Sequence, residues 1–121
     1  MRRDVYPGRL KLNGEEHRDT LREAGNYANS LISVKRFEKA KALLRKVVPV
    51  AQRVLGTEDE ETLSLREDLC VAILDGESSA EEKRGARRTL EEVAGVMRRV
   101  LGPVHPDVLH AQERLEYVNI K

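Results

Sequence analysis

The chain has 121 residues, 40% of them hydrophobic and 36% charged, with 22 Lys and Arg against 21 Asp and Glu. That length allows one domain with a modest core, and an aromatic content of 3% without Trp means that Leu, Val and Ala build it, which argues against an aromatic-lined cofactor pocket. A formal net charge of +1 lacks the basic bias of a typical nucleic-acid binder, so partners are to be sought in local patches.

In chain order, Tyr6, Pro7, Leu12 and Gly14 stand in register with Val48, Pro49, Val54 and Gly56, so the array is expected to begin mid-repeat with a partial N-terminal helix. A first full helix follows over 18–34, with Leu21, Ala24, Ala28 and Leu31 at helical spacing. A second runs over 36–55 through Phe37, Ala40, Leu44, Val47, Val48 and Ala51. The break near Val34-Lys35-Arg36 contains neither Gly nor Pro and follows from the change of apolar phase. Pro49 removes a backbone hydrogen bond inside the second helix and should bend its axis. Gly56 ends that helix in a left-handed conformation, and Asp59 is the N-cap of a third over 59–74. Asp75-Gly76-Glu77-Ser78-Ser79 is a turn cluster, and Ser79 with Glu82 reads as a capping box opening a fourth helix over 80–101. Gly102 closes it, and His105 and Pro106 suit the N-cap and first position of a last helix over 106–118.

The three Gly boundaries repeat one pattern: Gly14 through Leu21, Gly56 through Leu63, and Gly102 through Leu109. They are spaced by 42 and 46 residues, so the second unit carries four extra residues, assigned to the turn cluster. Periods of this length mean stacked supersecondary units. Asp19-Thr20-Leu21, Asn26-Tyr27-Ala28, Leu31, Arg36-Phe37-Glu38-Lys39-Ala40, Leu44 and Val54-Leu55-Gly56 resemble the tetratricopeptide repeat in its long kinesin-light-chain form, and His105-Pro106-Asp107 is similar to its inter-repeat motif. The resemblance implies one all-α domain over 1–121, a right-handed superhelical solenoid of antiparallel helix pairs. Its units are 17–56, 59–101 and a capping helix 106–118. It also implies small helix-contact residues at Ala28, Ala40, Cys70 and Ala86, and bulky ones at Tyr27, Leu31, Phe37, Leu44, Leu69, Ile73 and Leu90. Lys83 stands where Phe37 stands in the first unit, so the second helix pair is expected to meet less tightly at its turn.

In that family the first helices of successive repeats line a concave groove that binds extended peptides, and an Asn often holds the ligand backbone. Here that residue is Asn26, on a face with Arg22, Asn29 and Ser33; the matching faces are Ser64, Asp68, Val71 and Asp75, then His110, Arg114, Tyr117 and Lys121. Amides and guanidinium groups suit a mixed polar ligand, although charged helix faces are most often just solvated. The expectation is a non-catalytic module that binds a protein or peptide partner, without cofactor or metal. The alternative is a fragment of a longer array that forms homo-dimers or stacks end to end through Val108, Leu109, Ala111, Leu115 and Val118.

Other chemistry finds little support in the sequence. No nucleophile-base pairing and no Gly-rich phosphate loop is signalled. Glu15, Glu16, His17, His105 and His110 lack metal-ligand spacing, and Cys70 reads as a small buried residue rather than a redox thiol. Arg84, Arg87, Arg88, Arg98 and Arg99 make one helix basic, yet the absence of interleaved aromatics argues against nucleic acid. A single Cys excludes an intramolecular disulfide framework, no apolar run of about 18 residues crosses a bilayer, and no signal-peptide stretch follows Met1. A cytoplasmic protein without membrane contact is the expectation.

Overall fold

The computed structural model describes residues 18–120, with side chains through Tyr117. The expected partial N-terminal helix, the boundary residues Glu15, Glu16 and His17, and Lys121 lie outside the described residues. Five helices follow one another: α1 Arg18–Ser33, α2 Phe37–Leu55, α3 Glu60–Asp75, α4 Ala80–Leu101 and α5 Pro106–Ile120. Among the described residues there is no strand.

The helix ends follow their chemistry. Asp59 accepts a hydrogen bond from the Glu61 N–H at 2.9 Å, Ser79 and Glu82 complete a reciprocal capping box, and His105 Nδ1 accepts from the Asp107 N–H at 3.1 Å. Gly56 and Gly102 both take positive φ, 98° and 95°, but with ψ of 157° and 154° rather than the expected left-handed helical value. That region is open essentially to Gly alone, so the residue type is right and the conformation is different. Left-handed helical backbone occurs instead where no Gly stands: Lys35 has φ 63°, with Lys35 N–H donating to the Ile32 carbonyl and Arg36 N–H to that of Leu31. Those two bonds are the Schellman pattern, which is how α1 stops without Gly or Pro.

The core is aliphatic. Leu21, Ala24, Ala28, Leu44, Val47, Val48, Ala51 and Leu65 form one cluster, and Leu63, Val93, Ala94, Met97, Val108 and Ala111 another. Ala28, Ala40, Cys70 and Ala86 are all buried where helix pairs approach, while Leu31, Leu44 and Leu90 fill the space between them. The first boundary carries a buried polar contact, Thr62 Oγ1 donating to the Ala51 carbonyl at 3.2 Å. At the second, Val108 and Met97 share an apolar cluster at the equivalent positions.

The connection from α3 to α4 spans 76–79 against 34–36 in the first unit, and α4 has 22 residues against 19 for α2, so most of the extra length extends a helix. The turn folds back on α2. A Cβ added to Gly76 would stand 2.7 Å from Phe37 Cβ, and buried Lys41 donates to Ser78 Oγ at 3.1 Å. The turn thus fastens the two units together, while three of the four extra residues lie in α4 rather than in the turn to which the sequence assigned them.

The inner layer is α1, α3 and α5, in which α3 packs directly on both α1 and α5, whereas α2 and α4 make no comparable helix packing. They are bridged by Arg45 and Glu82 at 3.0 Å. Closer approach in one layer than in the other makes the α1–α3–α5 face the concave one.

Candidate functional site

Adjacent residues on a helix project about 100° apart, so α3, between α1 and α5, can address both neighbours with consecutive side chains. Glu67 and Asp68 do this. Glu67 Oε2 lies 3.0 Å from His110 Nδ1 of α5, and Asp68 Oδ2 accepts from Asn29 Nδ2 of α1 at 3.2 Å. Outward from this pair, Arg22 Nε stands 3.6 Å from Glu61 Oε1 and its Nη1 3.3 Å from Asp19, while Arg114 Nη1 stands 3.9 Å from Asp75 Oδ2. At the repeat boundaries, Arg18 grips Asp59 through two hydrogen bonds of 2.8 and 3.2 Å. The corresponding pair in the next unit is Glu60 and His105 at 3.5 Å, with the carboxylate on the preceding helix instead.

Electrostatics on this face is set by burial. Asp68 is held well above the ordinary carboxylate value, first by burial and then by the neighbouring Glu67 and Glu61, with Arg114 and the Asn29 amide pulling it back. Burial also pushes Glu67 up, opposed by His110 and Arg114, and Glu61 up, opposed by Arg22 and Arg18. At the boundary the balance reverses: the hydrogen bond from Arg18 leads in holding Asp59 below its usual range.

Of the sequence-derived groove residues, Arg22, Asn29, Ser33 and His110 are exposed, and Asn26, Ser64, Asp68 and Arg114 are partly buried. Val71 is buried beneath Arg114 and Tyr117 and presents nothing to a ligand. Ser33 donates to the Ser30 carbonyl of its own helix. Asn26 and Ser64 make no side-chain hydrogen bond among the described residues, although the Asn26 carbonyl accepts from Ser30 Oγ. Asp75, His110, Glu113, Arg114 and Tyr117 surround an open hollow of about 350 Å³ at the α5 end of the face. Glu67, Glu61 and Glu113 lie off the single face that helical spacing picks on each helix. For Glu67 a signal was available in its separation of 43 residues from His110, close to the repeat period.

Other candidates carry less. Glu60, His105 and Asp107 offer ligand atoms within 4.8 Å of one another, but they sit at the N-termini of α3 and α5, whose dipoles oppose a cation, and His105 Nδ1 is already the helix cap. Cys70 is buried and its thiol is pushed up to about 12 by burial, which makes it inert.

A tetratricopeptide repeat family model matches residues 20–61 and 77–107, more than half of the chain. The chain belongs to the tetratricopeptide repeat family. No curated protein matches it. The first matched stretch is as long as the period between Gly14 and Gly56, in keeping with a tetratricopeptide repeat of extended length. The stretch between the two matches, 62–76, holds Glu67, Asp68 and Cys70. No described helix is long and apolar enough to cross a membrane.

Proposed function

We propose that this tetratricopeptide repeat protein is a non-catalytic interaction module that takes an extended segment of a partner protein along the α1–α3–α5 face. The observation that carries the reading is the Asn26 amide, partly exposed in the middle of α1 and without a side-chain hydrogen bond among the described residues. An amide so disposed can donate to and accept from a peptide backbone at once. Support comes from the concavity of that face, from its rows of polar side chains, and from the family, whose repeats are generally protein-interaction modules.

Part of the apolar stripe offered for end-to-end stacking is covered within the chain, whereas Leu109 is exposed and the side chain of Val118 lies outside the described residues. Val108 and Ala111 are buried and Leu115 packs against two core clusters, so that part of the stripe on α5 is used on α3 and α4. Selection of a random peptide library against the whole chain, followed by affinity measurement on Asn26→Ala, tests the groove. A loss of about tenfold, equivalent to about 1.4 kcal/mol, with helicity and melting temperature unchanged is expected. Unchanged affinity removes Asn26 and the groove reading with it.

A further inference from the structure

The cations of the inner face are already engaged, and one of its carboxylates, Asp68, has no cation within pairing distance among the described residues. Arg22 is shared between Asp19 and Glu61, and Arg114 faces Asp75. Glu67 has His110, but the one hydrogen bond to Asp68 comes from the neutral amide of Asn29. Asp75 and Glu113 add negative charge around the hollow at the α5 end. A carboxylate held partly out of water without a cation is costly, and an arriving guanidinium or ammonium group offsets that cost through a charge-assisted hydrogen bond.

We propose that the inner face selects a basic extended segment of a partner protein, with Asp68 receiving one Arg or Lys side chain and Asp75 with Glu113 receiving a second. This rests on the groove reading above and adds the sign and spacing of the ligand. Asp68 and Asp75 are seven residues apart on α3, about 10.5 Å along the axis, which about three residues of extended chain cover. The cationic residues of the ligand are therefore expected about three apart. Asn26 and Asn29 are left for its backbone. An acidic segment would meet Glu61, Glu67, Asp68, Asp75 and Glu113 and find both guanidinium groups in pairs. The upward shift of Asp68, driven by burial together with Glu61 and Glu67 and opposed by Arg114 and Asn29, is what a bound cation would reverse.

The test uses labelled Gly-Ser peptides of about ten residues carrying two Arg three apart, with Gln and Glu versions as comparators, in about 0.15 M salt. Fluorescence anisotropy gives the affinity, and amide chemical shifts of the whole chain locate the peptide. The Arg peptide should bind at least about tenfold tighter than the Glu peptide, shift amides on α1, α3 and α5, and lose about fivefold or more with Asp68→Asn. Asp68→Asn keeps the acceptor for Asn29, and an undiminished melting temperature shows that the fold is retained. If the Glu or Gln peptide binds this face as well as the Arg peptide, the proposed sign is overturned while the groove stands. If no peptide shifts the inner-face amides, both fall. Binding of the Arg peptide that survives both Asp68→Asn and Asp75→Asn overturns the assignment of the acceptors.

Discussion

Two glycines with opposite surroundings show how far a single residue type can mislead. Gly76 approaches Phe37 Cβ and the Ala72 carbonyl so closely that an added Cβ would meet them at 2.7 and 2.8 Å, and neither can swing aside as a flexible side chain could. Gly76→Ala should therefore destabilise the fold by about 1–3 kcal/mol. Gly85 lies inside α4 with nothing within 4 Å of such a Cβ, so Gly85→Ala should stabilise by about 0.5–1 kcal/mol through helix propensity. Urea denaturation of the two variants should give opposite signs, and equal signs would remove the close approach at Phe37 as the reason for Gly76. The sequence placed Gly76 in a turn but could not reveal Phe37 above it, because that contact joins residues of different units. Lys35 was illegible for another reason: a left-handed C-cap is signalled by Gly, and here the Schellman bonds hold a Lys in its place.

At the scale of elements, most helix limits were legible from capping chemistry at Gly56, Asp59, Ser79 and Gly102 and the α1–α2 break from a change of apolar phase, whereas the use of α3 was not. Helical spacing picks one face, and α3 works through two, with Glu67 toward α5 and Asp68 toward α1. The same position predicts a pH dependence. The folded Asp68 carboxyl titrates well above 3.8, so between its folded and unfolded values the folded chain holds a proton that the unfolded chain lacks. Stability from this group rises as pH falls through the folded value and levels off near the unfolded one. Asp59 does the reverse: its contribution is present above its unfolded value and is lost as pH falls through its lowered folded value. Asp68→Asn should accordingly raise the urea midpoint near pH 7 and lose that advantage near pH 4. An advantage independent of pH would show that the carboxylate charge is not its source. Within the paired elements, Leu44 is fully buried, and Leu44→Ala should cost about 2–5 kcal/mol in the same assay.

For the whole molecule, the order of helices, their pairing and the aliphatic core were all readable from two periods, one of 3.6 residues and one of 42. What could not be read was which apolar residues of the last helix remain outside. Periodicity groups Val108, Leu109, Ala111, Leu115 and Val118, but packing against α3 and α4 divides those whose side chains are described: Val108 and Ala111 are fully buried and Leu109 is 51% exposed. Val104, 82% exposed, stands in the preceding turn, and Tyr117, 51% exposed, borders the hollow of the inner face. Single exposed apolar side chains of this kind are ordinary on a monomer, and a docking surface needs a contiguous patch of several hundred Å². The chain should therefore sediment as a monomer at concentrations from about 1 to 100 μM, below the threshold at which so small an apolar area supports association. Leu109→Glu is the discriminating variant, because Leu115→Glu would place a charge among the two clusters that Leu115 touches and disturb the fold itself. A wild-type dimer dissolved by Leu109→Glu would assign the outer side of α5 to self-association and restore stacking as a contact mode. Identical monomer profiles for both proteins leave the inner face as the surface on which partners are to be sought.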